Sequence, residues 1–348
     1  MPVYIGVDFH ARQQTISYLT TEDGEVKQCQ LSHEDLAAVR RFYEQFAGEQ
    51  VIVGFEASGY AAWFEEFLEE LGHEIWIGHA TAIRLSARRR QKNDRRDAEL
   101  ILELLIRGDF PRIHRYSAGS REILQQLRYR QKLVKMRTMV VNSLVFMGSS
   151  RGVSLRTKLK HRRGVERLQQ MEWPAPLGEQ RDELCQLLLE LKTRVDTVEK
   201  WLTAKAAADV QVQRLRTHYG IGPLTGLCLV STLEDVERFA NPRKVTAFAG
   251  FDPVEDSSGE RQRIGSISKQ GSRLLRFLLV EAGQVAIRKD PDLARIYRRL
   301  SLRRGHAKAK VAVGRRLLIR AFIMLRDEID YAEFQRRGVA ARSSRATA

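Results

Sequence analysis

Four carboxylates in the first hundred residues have the types and spacing that could do chemistry. Asp8 and Glu56 each end an apolar run that is typical of a buried strand, and Asp94 and Asp97 lie three apart on a segment with helical periodicity. Converging acids repel one another unless cations lie between them. Hard divalent ions such as Mg²⁺ prefer oxygen ligands, and a pair of them can stabilise the attacking and leaving oxygens at a phosphate. The set predicts a Mg²⁺ site, with Mn²⁺ as a substitute.

The alternative explanation is four unrelated surface acids. A single Asp or Glu is far more often a solvated surface carboxylate than a ligand. The order of the predicted strands favours a shared site instead. Strand-like runs at 3–9, 14–20 and 26–31 predict an antiparallel meander, and alternating helices and strands follow it. This order is typical of the mixed sheet of ribonuclease-H-like folds, in which strands one and four are neighbours. Asp8 and Glu56 are then expected side by side.

The composition indicates a polyanionic partner. The 348 residues include 59 Lys+Arg and 43 Asp+Glu, a formal net charge of +16. Such an excess favours nucleic acid through counterion release and disfavours a purely small-molecule enzyme. With 43% hydrophobic residues the chain can form two or three domains. Three widely spaced cysteines, no leader and no long apolar stretch predict a soluble cytoplasmic protein without zinc or a membrane partner.

The region 117–215 is predicted to be helical. Its second long helix carries apolar residues at alternating steps of four and three, typical of a coiled-coil seam: Leu184, Leu188, Leu191, Val195, Val198 and Leu202. The seam covers fewer than three heptads. An intramolecular core and a self-association surface are equally compatible with it.

The region 216–333 contains two motifs that could act on nucleic acid. Gly220 and Gly222 precede an apolar helix, as in a helix-hairpin-helix, where free backbone N–H groups can hold a phosphate. They could equally serve a tight interhelical turn. Ser257 and Ser258 lie beside a glycine in a basic loop. They could be ordinary turn residues, or one could be a nucleophile aimed at a phosphate, and the residues alone leave this open.

Basic side chains form three clusters along the sequence. One cluster surrounds the acidic pair, a smaller one follows the serines, and a third lies further on. The candidate nucleic-acid contacts are Arg88, Arg89, Arg90, Lys92, Arg95 and Arg96, then Arg261, Arg263 and Lys269, and the third zone comprises Arg298, Arg299, Arg303, Arg304, Lys308, Lys310, Arg315, Arg316 and Arg320. Any one of these cations taken alone is more often on a merely solvated face.

The motifs together resemble those of a known family. GVDFH, EASGY, KNDRRDA, YGIGPLTG, FAGFDP and SSG with RIGSISKQG are similar to the IS110 family of insertion-sequence transposases, its IS1111 subgroup, and to the related pilin-gene invertase. The match spans nearly the whole chain, and the order and spacing of the motifs are jointly specific although each is weak alone.

The resemblance implies a recombinase of α/β plus α class. Its parts would be a RuvC-like (RNase H fold) domain at 1–116 with a DEDD tetrad, a coiled-coil region at 117–215, a transposase domain at 216–333 and a basic tail at 334–348. The low apolar content of the tail predicts disorder. Residue by residue, the tetrad falls on Asp8, Glu56, Asp94 and Asp97. The nucleophilic serine falls on Ser258, with Ser257 adjacent.

The resemblance also implies partners. They are double-stranded donor and target DNA, a structured bridge RNA that specifies both, and further copies of the chain in dimers and tetramers, in a bacterial, nucleoid-associated setting. Strand transfer would proceed through a phosphoserine link. A RuvC- or RNase H-like nuclease that uses activated water is the main alternative. An actin-like ATPase is disfavoured because two duplicated phosphate-binding halves are not evident, and an inactive nucleic-acid-binding scaffold would not need the acids.

Overall fold

The computed structural model describes residues 2–20, 24–87, 93–154, 159, 162–255 and 264–346. It divides into two compact units, 1–115 and 116–348. The strands are β1 (Val3–Phe9), β2 (Gln13–Leu19), β3 (Val26–Ser32), β4 (Val51–Glu56), β5 (Glu74–Gly78), β6 (Pro253–Glu255) and β7 (Ile264–Ile267). The helices of the first unit are α1 (Leu36–Glu44), α2 (Ala62–Glu70), α3 (Ala80–Ser86) and α4 (Asp94–Arg107).

The first unit is built on a five-stranded mixed sheet of order β3-β2-β1-β4-β5. β1, β2 and β3 are antiparallel neighbours, whereas β1 with β4 and β4 with β5 are parallel. Strands one and four are therefore adjacent, as the sequence predicts, and the predicted mixed-sheet fold class is confirmed. The parallel ladder between them pairs Val7 with Phe55, so Asp8 and Glu56 are the next residues on the two strands.

Alternation along the strands separates two buried layers. Odd-numbered residues of β1 and β4 pack with α1 and α2 in one apolar core, which contains Val7, Phe55 and Phe64. Tyr4 and Ile52 belong instead to a second core with α3 and α4. Asp8 and Glu56 have the even parity of Tyr4 and Ile52. Because side chains of one strand alternate between faces, both acids lie on the face that α4 covers.

Glycines allow α4 to approach the sheet closely. A Cβ on Gly6 would lie 2.5 Å from the backbone nitrogen of Leu102 and 2.6 Å from the carbonyl oxygen of Ala98. A Cβ on Gly54 would meet the side chain of Leu105 at 2.7 Å. Helix α4 thus packs directly on β1 and β4 backbone. Its first turn, with Asp94 and Asp97, lies toward the carboxyl end of β1, where Asp8 is.

The second unit is mostly helical. It contains α5 (Ala118–Ser149), α6 (Arg162–Gln169), α7 (Ala175–Ala208), α8 (Val210–Arg216), α9 (Pro223–Leu233), α10 (Pro242–Phe248), α11 (Arg273–Ala286), α12 (Pro291–Arg304), α13 (His306–Arg326) and α14 (Tyr331–Ala346). α5 and α7 pack side by side and share an apolar core. The heptad residues of α7 are part of that core or of the larger one that follows. Within one chain the seam is thus intramolecular packing; supercoiling and self-association stay predictions.

A larger core joins α8 to α11 with α13. Phe251, Leu279 and Phe322 are fully buried in it. The end of the chain differs from the predicted disorder, because α14 extends to Ala346. Phe334 packs against the core, and Glu333 pairs with Arg337 one turn later at 2.8 Å, which gives the helix local support. Among the described residues, none of the helices combines the length and apolar content that a bilayer crossing requires.

Candidate metal site and nucleic-acid surfaces

Two of the predicted acids meet a histidine at the carboxyl end of β1. His10 Nε2 lies 3.1 Å from Asp8 Oδ2 and 3.9 Å from Asp94 Oδ2. One ligand atom from each of these three residues lies within 4.8 Å of the others, a separation that one metal ion can bridge. The motif reasoning did not select His10. The available signal was its position two residues after Asp8, which places both on one face of an extended segment.

The other two acids flank this group. Asp97 lies in the first turn of α4 with Asp94, and both carboxylates act electrostatically on Asp8. Glu56 shares the sheet face with Asp8 on the adjacent strand. Neither Asp97 nor Glu56 belongs to the 4.8 Å group. All four acids thus lie at one end of one sheet face, but only Asp8 and Asp94 of the four are in the close group with His10.

The electrostatics at Asp8 are unfavourable for a bare carboxylate. Burial raises the pKa of Asp8 above its ordinary value of 3.8, His10 opposes this shift, and the Asp97 and Asp94 carboxylates add to it. Asp8 Oδ2 is also buried, and within the described part of the chain His10 Nε2 is its polar neighbour at 3.1 Å; this contact lowers the pKa of Asp8 but does not have the angles of a good hydrogen bond. A buried carboxylate oxygen among further carboxylates is stabilised most directly by a cation.

Helix capping explains only some of the acidic residues at this site. Asn93 caps α4 through its side-chain oxygen, which accepts from the backbone N–H of Arg95 at 3.2 Å. Asp94 and Asp97 in the first turn are also favoured by the helix dipole. Neither effect requires Asp8, which arrives from β1. Gln28 of β3 fixes the same helix by donating to Glu99 Oε1 at 2.8 Å.

The donor set fits a divalent metal ion. It offers an orphaned buried carboxylate oxygen, a second carboxylate and an imidazole nitrogen within ligand reach of one another, with two further carboxylates on the same face. Asp8, Asp94 and His10 could hold one ion, and Glu56 and Asp97 are placed beside them. The arrangement suits metal-dependent chemistry on phosphate oxygens.

Two models of known protein families match parts of the chain. A model described as "Transposase", for the DEDD domain of IS110 elements, matches residues 5–145. A second, described as "Transposase IS116/IS110/IS902 family", matches residues 212–298. The chain belongs to the IS110 family of transposases. The first match covers all but the first two residues of the sheet and all four acids of this transposase, and the second covers β6 and β7.

Individual relatives are also described as transposases. The transposase is 29% identical over 262 residues to a probable family 20 transposase of Pseudomonas aeruginosa, covering 72% of this chain and 75% of that protein. It is 30% identical over 237 residues to the transposase for insertion sequence element IS1111A of Coxiella burnetii, covering 64% and 63%. It is 26% identical over 278 residues to the transposase for insertion sequence element IS1328 of Yersinia enterocolitica, covering 75% and 80%.

Several predicted site residues of the transposase lie outside the described residues. They are the serines Ser257 and Ser258 and the cations Arg88, Arg89, Arg90, Lys92, Arg261 and Arg263. Of the cations that are described, Arg95 and Arg96 are exposed on the first turn of α4 beside the acids, and Lys269 is exposed after β7. Arg320, counted in the third basic zone, differs: it lies in a largely buried ion pair with Asp290 and is not on an open basic face.

The described residues on either side of the serine segment are closely packed. The β6 and β7 hairpin is antiparallel, pairing Pro253 with Ile267, and Ser268 Oγ donates to Asp252 Oδ1 at 2.7 Å. Gly250 has a φ of 69°, and a Cβ there would lie 2.0 Å from the carbonyl oxygen of Gln270. Glycine is therefore required at position 250, where the backbone of Gln270 passes close by.

The helix-hairpin-helix-like glycines have separate environments. Gly220 has a φ of 88°, and a Cβ there would lie 2.2 Å from the carbonyl oxygen of Ala282 in α11. Close packing explains this glycine without a phosphate. Gly222 is the N-cap of α9 and has open space around its missing Cβ. Of the two, Gly222 is the position where the fold alone does not require glycine.

A buried polar network holds this turn against the last helices. His218 is 1% exposed, and its Nδ1–H donates to the carbonyl oxygen of Tyr219 at 2.8 Å. Its Nε2 lies 3.4 Å from Arg320 Nη1 and accepts there, since a guanidinium can only donate. Arg320 and Tyr331 both donate to Asp290. The ring of His218 is therefore neutral, and a second proton would face Arg320.

We expect this network to make the second unit sensitive to acid. Burial lowers the pKa of His218 from 6.5 to about 4, with Arg320 adding to the shift while the Tyr219 carbonyl and Asp290 oppose it. A lowered pKa stabilises the fold above pH 6.5 and destabilises it as the pH falls toward 4, because the unfolded chain binds the extra proton. From pH 7 to pH 5 the loss should be about 2 kcal/mol. His218→Gln, which cannot take up this proton, should flatten that dependence in urea unfolding followed by hydrogen exchange of α9 and α13. An equally steep dependence in the variant would contradict the assignment.

Proposed function

We propose that the protein is a bridge-RNA-guided DNA recombinase that transfers strands through a phosphoserine intermediate. The observation that carries the metal-dependent half of this proposal is the convergence of Asp8 and Asp94 with an orphaned buried oxygen on the face below α4. The serine half is supported by the motif resemblance and by the match of the second family model across residues 212–298. The catalytic roles of Asp8, Glu56, Asp94, Asp97 and Ser258 are part of the proposal.

A bound divalent ion, Mg²⁺ or Mn²⁺, would supply charge neutralisation at the scissile phosphate. Asp8 and Asp94, with Glu56 and Asp97 beside them, would hold this ion and position it at the phosphate. Ser258 Oγ forms a bond to phosphorus as the bond from phosphorus to the 3′ oxygen breaks; the serine proton is lost and the 3′ oxygen gains one. A 3′ hydroxyl of another strand then attacks the same phosphorus and loses its proton, while the bond from phosphorus to Ser258 Oγ breaks and the serine regains a proton. One phosphodiester is thus exchanged for another without an external energy source.

The basic surfaces support the proposed nucleic-acid partners. Arg95 and Arg96 are exposed next to the acidic site. In the second unit, the exposed basic residues around the junction of α12 and α13 include Arg298, Arg299, Arg303, Arg304 and Lys308. Such surfaces bind phosphate backbones without reading sequence. Under this proposal a structured RNA specifies donor and target DNA, and copies of the chain assemble as dimers and tetramers.

A denaturing gel tests the proposal. The purified protein is incubated with Mg²⁺, labelled element-junction DNA and RNA transcribed from the element's flank. We expect a covalent protein–DNA band that requires the RNA and the metal. Ser258→Ala should abolish the band, because it removes the attacking oxygen, and Ser257→Ala should keep it.

The adjacent serine is the matched control for position. Loss of the band in Ser257→Ala alone would move the nucleophile by one residue. DNA cleavage without any adduct, unaffected by either variant but lost in Asp94→Ala, would instead identify a metal-dependent nuclease that uses activated water. Formation of the covalent band without RNA would show that the RNA does not guide the reaction.

A further inference from the structure

The acidic site contains a nitrogen donor that an all-carboxylate site lacks. His10 Nε2 is nearer to Asp8 Oδ2, at 3.1 Å, than it is to Asp94 Oδ2, at 3.9 Å. Two ligands bound about 2.1 Å from one ion lie about 3.0 Å apart in adjacent positions and about 4.2 Å apart in opposite ones. The distances from His10 Nε2 to the two aspartate oxygens, 3.1 and 3.9 Å, lie between these two values. The imidazole is therefore placed at the spacing of a metal ligand.

The surroundings of His10 favour coordination over a simple hydrogen bond. The Asp8 oxygen it faces is buried and lacks a hydrogen bond of good geometry within the described residues, so the close approach does not satisfy it. The imidazole is also partly exposed, at 41%, and can adjust toward an ion. The three ligand atoms lie within 4.8 Å of one another, so shifts of less than about 1 Å complete the set.

We propose that His10 is a ligand of the metal ion held by Asp8 and Asp94, and that it makes the site selective for Mn²⁺ over Mg²⁺. Mg²⁺ demands hard oxygen ligands and gains little from an imidazole, whereas Mn²⁺ and later transition metals bind nitrogen more strongly. This assignment rests on the proposed metal dependence and specifies the donor set. It differs from the sequence-based expectation of oxygen ligands alone, which favours Mg²⁺.

Metal binding to the full chain, without any nucleic acid, tests the assignment. Mn²⁺ affinity is measured from the electron paramagnetic resonance signal of the free ion, and Mg²⁺ affinity by competition. We expect His10→Ala to raise the Mn²⁺ Kd about 10- to 100-fold and to change the Mg²⁺ Kd less than about threefold. Electron spin echo modulation of bound Mn²⁺ should show ¹⁴N coupling that the variant lacks.

Two further variants control the test. His10→Asp replaces nitrogen by oxygen and should shift the ratio of affinities toward Mg²⁺. His306→Ala removes a histidine that is exposed in the second unit and should leave both affinities unchanged. Thermal unfolding without metal checks the fold, and His10→Gln replaces His10→Ala if the latter fails to fold.

The outcomes separate this inference from the proposed function. Wild-type protein that binds Mn²⁺ without nitrogen coupling, or an unchanged Mn²⁺ to Mg²⁺ ratio in His10→Ala, would overturn the role of His10 and leave the metal dependence standing. Wild-type protein that binds neither ion would overturn the metal site, and with it the metal-dependent half of the proposed function.

Discussion

Asp8→Asn is expected to abolish metal-dependent strand transfer while leaving the fold intact. The Asp8 carboxylate lies on the central strand, 3.1 Å from His10, and interacts electrostatically with both acids of α4. An amide of the same shape keeps the packing but removes the negative charge that binds the ion. We expect the rate of strand transfer to fall roughly 10³-fold. Formation of the covalent DNA adduct, followed over time, measures this.

The stability of the same variant distinguishes a functional acid from a structural one. Burial and the neighbouring carboxylates raise the pKa of Asp8, so in the metal-free protein its charge is unfavourable to the fold. The free energy of unfolding without metal should therefore be unchanged or higher in Asp8→Asn. Asp109→Asn, at an exposed position in the same unit, should alter neither activity nor stability. A variant of Asp8 that unfolds more easily and keeps its activity would assign Asp8 a purely structural role.

Gly6→Ala should move the acids of α4, Asp94 and Asp97, away from Asp8 on β1. The added methyl group would lie 2.5 Å from the Leu102 nitrogen and 2.6 Å from the Ala98 carbonyl oxygen, both backbone atoms of α4. Backbone cannot rotate away as a side chain can, so the helix must shift and carry Asp94 and Asp97 from Asp8. We expect destabilisation of about 1–3 kcal/mol and a weakening of metal binding of at least about tenfold. Urea unfolding and Mn²⁺ titration measure the two effects.

A neighbouring glycine provides the control. Gly59 lies in the same unit, and a Cβ there would meet nothing within 4 Å. Gly59→Ala should leave stability and metal binding near wild type. If Gly6→Ala bound metal as tightly as wild type, the close contact between β1 and α4 would not be what places the two aspartates, and the geometry of the site would need another explanation.

Much of the first unit could be predicted from the sequence because its signals are local. The apolar runs that end at Asp8 and Glu56 are strands, and the segment from Asp94 is a helix with Asn93 as its cap. The order of strands and helices is also typical of ribonuclease-H-like folds, in which strands one and four are neighbours, so the adjacency of β1 and β4 could be expected. The acids could be grouped before any distance was known.

Other features depend on contacts that local patterns do not encode. The alternating residues of α7 predict a seam equally well for a core and for a surface, and only the packing against α5 showed the core. Arg320 belongs to a basic run by composition, yet Asp290 and Tyr331 bury it. The tail has little apolar content, but Phe334 and the Glu333 to Arg337 pair lie on a helix.

The sequence by itself determined which residues could form the site, since strand ends, helix starts and charge are properties of short segments. Only the tertiary structure decided how those residues meet. The absence of a Cβ at Gly6 lets α4 approach β1, and this contact brings Asp94 to Asp8 and to His10, a residue the motif reasoning did not select. The reason is physical: ligand geometry depends on separations of a few ångströms between elements far apart in the chain, and these are set by packing.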